Sequence, residues 1–213
     1  MVEAVEDGLA SPAEYLPAIS EQVDNLSRLV DDLFEVACID AGVLSLEMRD
    51  APIDELVASC LRGVDAEARA RNVSLEARLD PSRPVVRMAP EKVARVLSNL
   101  LTNALRHTPT DGAVAVTVDA DSERVVVAVE DTGTGLSPTA ARRMFERFWR
   151  EDDSRGRKSG GAGLGLAIAQ GLVQAQGGQI WAENRSGGGT RVAFTLPLAS
   201  RRSAELPLED VRA

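Results

Sequence analysis

The stretch Asn99-Leu-Leu-Thr-Asn103-Ala-Leu-Arg-His107 decides how this chain is read. It closes an apolar-periodic run that begins after Pro90, so the sequence predicts a long helix over 91–107 with proline at its start, a favoured place for that residue. Asn99 and Asn103 stand four residues apart, and both amides therefore project from one helix face. An amide oxygen is a hard, neutral ligand, suited to a divalent cation that keeps several of its waters. Taken alone, the pair reads equally well as two surface amides capping neighbouring loops.

Three further segments follow. Asp131-Thr-Gly-Thr-Gly135 comes directly after a strand predicted over 125–130. A carboxylate fixed at a strand end can accept a hydrogen bond from the amino group of adenine, and glycines let backbone approach a base closely. In isolation, a plain Asp-Gly turn explains the same residues. Phe145-Glu-Arg-Phe-Trp149-Arg150 falls inside a long connection over 131–162, where the sequence predicts one short helix carrying Phe145, Phe148 and Trp149. Arg147, Arg150, Arg155, Arg157 and Lys158 put five cations in that connection, either a polyphosphate clamp or a solvated charge run.

Gly161-Ala-Gly-Leu-Gly165-Leu-Ala opens a helix predicted over 164–176. Unpaired amides and the helix dipole make such an N-terminus an anion site, and Gly161, Gly163 and Gly165 allow close approach. The segment is not a Walker A loop, since no Gly-Lys-Ser/Thr follows, and no strand leads into it as a dinucleotide fingerprint requires.

In this order the four segments closely resemble the N, G1, F and G2 boxes of the sensor histidine kinase catalytic domain, part of the GHKL group with gyrase, MutL and the heat-shock chaperone ATPases. The resemblance covers residues 13–198. It implies an α+β fold, a two-layer sandwich of a mixed sheet covered on one face by helices, preceded by a long bundle helix. It also implies ATP and Mg²⁺ as cofactors. By the same resemblance Asn103 coordinates Mg²⁺, Asn99 shapes the nucleotide site, Arg106 faces the phosphates, and His107 lies in the nucleotide cleft. Asp131, with Gly133 and Gly135, selects adenine, and Thr190 backs that pocket. Arg150 and Lys158 contact phosphate, as does the turn of Gly161, Gly163, Leu164, Gly165 and Leu166. Asn103, Arg106 and Lys158 form the implied catalytic set.

Outward from these boxes, Leu16, Ile19, Val23, Leu26, Val30, Leu33 and Ala37 recur in steps of three and four, a heptad seam suited to a coiled coil or helical bundle. A single amphipathic helix on a globular core is the plainer alternative. The helix resembles the second helix of the kinase dimerisation and phosphotransfer hairpin, with 1–8 as the frayed end of the first. The expected domains are 1–42 for this partial hairpin, 43–198 for the catalytic domain and 199–213 for a loose tail. Strands are predicted over 43–48, 73–79, 113–119, 179–184 and 190–196, a helix over 54–71, and a turn around Pro81 and Pro84.

The chain has 213 residues, 44% hydrophobic, enough for one proper core with an appendage. A formal net charge of -9 argues against a nucleic-acid partner. Cys38 and Cys60 lack metal-ligand spacing and are expected as reduced core residues. No stretch is apolar for long enough to span a membrane, so a cytoplasmic location is expected, with any parent kinase anchored by a segment outside this chain.

The pattern departs from the family at Ala89, where an acidic residue is usual, at Arg95 in place of a Gln, and at Ala162 in place of the G2 Thr. The larger departure concerns the phosphoacceptor. His107 is the chain's one histidine, and it sits in the N box, whereas the family's phosphoacceptor lies on the first hairpin helix. The expected function is therefore transfer of the γ-phosphoryl of Mg-ATP to a histidine on a helix absent from this chain. The partners implied are that hairpin, a response regulator reached through the full kinase, and a possible homodimer through the helical arm. The rivals are a nucleotide-gated interaction module, half of a split kinase, or a serine kinase of the anti-sigma type, against which the heptad helix argues.

Overall fold

The computed structural model describes residues 12–151 and 162–199. The expectations for the frayed start (1–8), for the tail beyond 199, and for Arg155, Arg157, Lys158 and Gly161 lie outside these residues. Two compact units divide at Val43 and Leu44.

Among its described residues the first unit holds one helix, α1 (Pro12–Asp40), ended by Gly42 at φ +66. Glycine adopts this left-handed conformation without steric cost, so the helix stops there. Leu16, Val23, Leu26, Val30 and Leu33 along the seam are all about half exposed or more, as is Phe34 at 71%.

The second unit runs β1 (Arg49–Pro52), α2 (Ile53–Ala70), β2 (Ser74–Arg78), β3 (Val85–Met88), α3 (Pro90–His107), β4 (Ala113–Ala120), β5 (Arg124–Asp131), α4 (Pro138–Arg143), α5 (Gly165–Ala175), β6 (Ile180–Asn184) and β7 (Thr190–Pro197). Five strands form one mixed sheet in the order β2-β4-β5-β7-β6, with β2 parallel to β4 and the other pairs antiparallel. Its register stacks Val116 beside Val129 and Val192, and Val118 beside Val127 and Phe194. All six are buried, and this apolar face carries the helices. α3 packs centrally against β4, β5, α2 and α5, while α2 lies over β2 and α5 over β6 and β7. This is the two-layer α+β sandwich that the family resemblance implies.

α3 buries Val93, Val96, Leu97, Leu100, Leu101, Ala104 and Leu105, a stripe at steps of three and four on one helix face. Glu91 in its first turn and Arg106 in its last turn complement the helix dipole. Its start is held by a partner distant in sequence. Gln176, at the end of α5 and only 4% exposed, accepts from Ala89 N at 2.8 Å and donates to Leu172 O at 3.0 Å.

Several local expectations are corrected. The strand predicted over 43–48 is irregular chain, and pairing begins at Arg49 opposite Met88. Leu44, Leu46 and Met48 are half-buried while Ser45 and Glu47 are exposed, so the alternation there records one-sided burial with no strand alongside to complete a ladder. β3, directly after Pro84, was not expected from the sequence. The short helix of the long connection is α4, whose N-cap Ser137 accepts from Ala140 N at 3.0 Å, and Phe145, Phe148 and Trp149 lie beyond it, the first two in turns and Trp149 in irregular chain. Cys38 and Cys60 are free and half-buried rather than full core residues.

Among the described residues no helix is long and apolar enough to cross a membrane.

Candidate functional site

Asp131 ends β5 on the same sheet face as Val129 and Val127, because strand side chains alternate. The apolar row thus terminates in a carboxylate that is 5% exposed. A buried charge persists only when hydrogen-bonded. Here Oδ1 accepts from Gly133 N at 2.8 Å and from Thr190 N at 3.1 Å, leaving Oδ2 outside both bonds. Gly133 is also pressed against the end of α3, where a Cβ would stand 2.5 Å from the His107 carbonyl oxygen. Only a residue without a side chain fits there. Gly135, at φ +80, leads into a clamp in which Asn184 Oδ1 accepts from Leu136 N at 2.6 Å and its Nδ2 donates to Leu136 O at 3.0 Å.

Along α3 the two asparagines do different things. Asn99 Nδ2 donates to Gly165 O at 2.9 Å, tying the first turn of α5 to the middle of α3. Leu164 is the N-cap of α5 and is 1% exposed, while Leu166 is half-buried. Gly163, at φ +74, accepts from Phe148 N at 3.0 Å, and this bond brings the aromatic segment against the glycine turn. Asn103 Oδ1 accepts from Arg106 Nη2 at 2.8 Å, one turn further along the helix.

Charge concentrates at that end. The Arg106 guanidinium is held below its ordinary value by desolvation first, then by the Arg150 and Arg71 guanidiniums beside it. Three cations therefore share one neighbourhood. His107 is pushed below the usual imidazole range by desolvation and by Arg106, against the smaller pull of the Asp131 and Glu151 carboxylates.

Hydrogen bonds thus join Gly165 to Asn99 and, one turn along the same helix, Asn103 to Arg106, while His107, Gly133, Asp131 and Thr190 meet at its end. Sequence reasoning missed Arg71, Asn184 and Arg185. Arg71 is brought in because Asn72, at φ +56, accepts through its carbonyl from Asp111 N at 2.9 Å, which fastens the end of α2 to the loop after α3. No local signal marks it. Among the described residues no group of three or more His, Cys, Asp or Glu side chains could hold a metal ion.

The model of the family described as histidine kinase-, DNA gyrase B- and HSP90-like ATPase matches residues 88–200. The sensor histidine kinase WalK of Bacillus subtilis is 32% identical over 185 residues, covering 86% of this chain and 30% of that protein. MtrB of Mycolicibacterium paratuberculosis, also a sensor histidine kinase, is 35% identical over 177 residues, covering 83% of this chain and 31% of that protein. The crystal structure of full-length ShkA in complex with AMPPNP superposes with a TM-score of 0.80 at 29% identity, covering 90% of this chain and 40% of that one. The chain therefore spans about a third of the length of these curated relatives. With a family model matched over more than half of its residues, the chain belongs to the histidine kinase-, DNA gyrase B- and HSP90-like ATPase family.

Proposed function

We propose that this chain is the ATP-binding catalytic portion of a two-component sensor histidine kinase, transferring the γ-phosphoryl of Mg-ATP to a histidine on a helical hairpin outside this chain. The names of the similar proteins and the AMPPNP bound by ShkA support this reading. The observation that carries it is Asp131, a buried carboxylate with one oxygen fixed by two main-chain amides at the mouth of glycine turns.

In this reading Asp131 accepts from the adenine amino group, Gly133, Gly135 and Thr190 shape its surroundings, and Asn99 keeps the Gly163–Leu166 turn beside the polyphosphate. Arg106 and Arg150, with Lys158, neutralise phosphate charge, and His107 lines the cleft. A magnesium ion fits the donor set. Asn103 offers one neutral oxygen and the described residues form no acidic cage, which suits an ion that takes its remaining ligands from phosphates and water. When bound, that ion would supply charge neutralisation to the polyphosphate. The chain's own contribution is positioning, with Arg106 released from Asn103 to reach the nucleotide.

Partnership with a response regulator, and dimerisation through α1, belong to the whole kinase and are proposed with it. The exposed seam of α1 also supports a second reading, a nucleotide-gated module that binds a partner helix without chemistry.

Equilibrium binding of a fluorescent ATP analogue, with and without Mg²⁺, tests the site. Magnesium-dependent binding is expected in the intact chain, with its loss in Asn103→Ala and Asp131→Asn. A folded chain that binds nothing sinks the kinase reading. Phosphorylation of a supplied histidine hairpin separates kinase from module.

A further inference from the structure

We infer that Arg185 is a positioning residue for base selection, holding the main chain beneath Asp131 so that the free carboxylate oxygen meets an adenine amino group. The inference rests on the adenine reading of Asp131 given above.

The β5–β7 ladder stops at Glu130 opposite Arg191. Beyond it, Thr190 N turns to the Asp131 carboxylate. The Asp131 carbonyl then takes its donor from a side chain, Arg185 Nη1 at 2.8 Å. The same guanidinium places Nε 3.5 Å from Glu130 Oε2, on the sheet face opposite Asp131. Arg185 thus grips two consecutive residues whose side chains point to opposite faces.

Its own position is set by a tight turn between β6 and β7. Arg185 N donates to Gly189 O at 3.0 Å, and Gly188 N donates to Arg185 O at 3.1 Å. Gly189, at φ +88, lies so close to Asp131 that a Cβ would stand 2.0 Å from its carbonyl oxygen. The turn therefore forms a collar on Asp131, contributing Arg185 to the carbonyl and Thr190 to the carboxylate. Side-chain exposure of Arg185 is 27%, low for an arginine on a turn.

Glu130 does not depend on Arg185 alone. Arg191 Nε lies 3.4 Å from Glu130 Oε1. What Arg185 alone supplies, among the described residues, is the side-chain donor to the Asp131 carbonyl. Without it that carbonyl loses a charge-assisted bond, and the strand end carrying the carboxylate loses one of its fixed points.

The test compares Kd for ATP with Kd for purine riboside triphosphate, which has the same phosphates and sugar but no 6-amino group. The whole chain is expected to prefer ATP. In Arg185→Ala that preference falls by about five- to tenfold, the worth of one hydrogen bond, while affinity for the analogue is nearly unchanged. Arg185→Lys restores part of it. If Arg185→Ala does not stay folded at the assay temperature, Arg185→Met keeps the stem without its donors, and the same ratio decides.

A ratio equal to that of the unsubstituted chain overturns the inference, and so does a parallel loss for both nucleotides, which marks a structural role only. If the unsubstituted chain binds ATP no better than the analogue, the adenine reading itself fails and the inference with it. A retained preference in the arginine variants defeats the inference alone.

Discussion

The two ends of the candidate site are built in opposite ways. At the Asp131 end the functional group is 5% exposed, and its carboxylate and main chain are fixed by Gly133, Thr190 and Arg185. At the Arg106 end the groups are cations on long side chains, and one of them, Arg106, rests on Asn103, the residue proposed to meet the metal. The first end is preorganised, with its ordering cost met in folding. The second is carried on long side chains and, in the proposed reading, works mainly through charge, which solvent and salt screen. A base presents one fixed edge and suits the rigid end. A polyphosphate with its counter-ion changes charge and shape during transfer and suits the adaptable one.

The largest effect expected from breaking this contrast is at Asp131. In Asp131→Asn the two amides of Gly133 and Thr190 demand an oxygen where Oδ1 now stands. The new NH₂ is then forced into the Oδ2 position, where it faces the adenine amino group donor to donor. Loss of a hydrogen bond to a charged acceptor corresponds to about 10- to 100-fold in Kd, and the repulsion places the change at the upper end. Calorimetric titration with ATP measures it. A change under threefold would mean that the carboxylate does not read the base.

The same contrast governs what could be read from sequence. The run Asp131 to Gly135 and the α3 face that carries Asn99, Asn103 and Arg106 stood out in the sequence because each is contiguous or periodic within one element. Contacts made by tertiary approach did not. Arg185 reaches Asp131 only after β5, β7 and β6 have paired, and the Arg71 charge is felt at Arg106 only after Asn72 meets Asp111. β1 illustrates the limit for the fold. Arg-Asp-Ala-Pro has little strand propensity, and pairing with β3 alone makes it a strand. The alternating 43–48 segment has the pattern without the partner. For α4 the signal was present in Ser137 followed by Pro138, a preferred N-cap and first-turn pair, but the nearby aromatics drew the helix too far along the chain.

A smaller effect is expected at the adaptable end. The Arg71 charge acts on Arg106, but Arg71 is paired with Glu67 at 3.1 Å and its side chain is 42% exposed. Arg71→Ala is expected to weaken ATP about two- to fivefold at low ionic strength, the scale of a solvent-screened charge, with a smaller change for AMP. At high salt the difference should vanish. Measuring Kd for ATP and AMP across a salt series checks this. A loss independent of salt would mean that Arg71 acts as a fixed contact and that the two ends differ less than the contrast holds.

The smallest effect is also the most direct probe of where the ends meet. His107 joins them, its carbonyl against Gly133 and its ring 3.4 Å from Arg106. Desolvation and Arg106 lower its pKa below the ordinary 6.5. Between that lowered value and 6.5 the unfolded chain binds more protons than the folded one. The neutral ring's contribution to stability is therefore complete above 6.5 and is lost as pH falls through this window. Bound polyphosphate adds negative charge nearby and should move the pKa upward, so that ATP binding takes up a fraction of a proton below pH 6.5. Because the chain has one histidine, its imidazole resonance needs no assignment by substitution, and an NMR titration with and without ATP reads the shift directly. An upward shift with ATP, absent with adenosine, places the phosphates at the Arg106 end. Equal shifts with both would mean that His107 senses the base instead, reversing the assignment of the two ends.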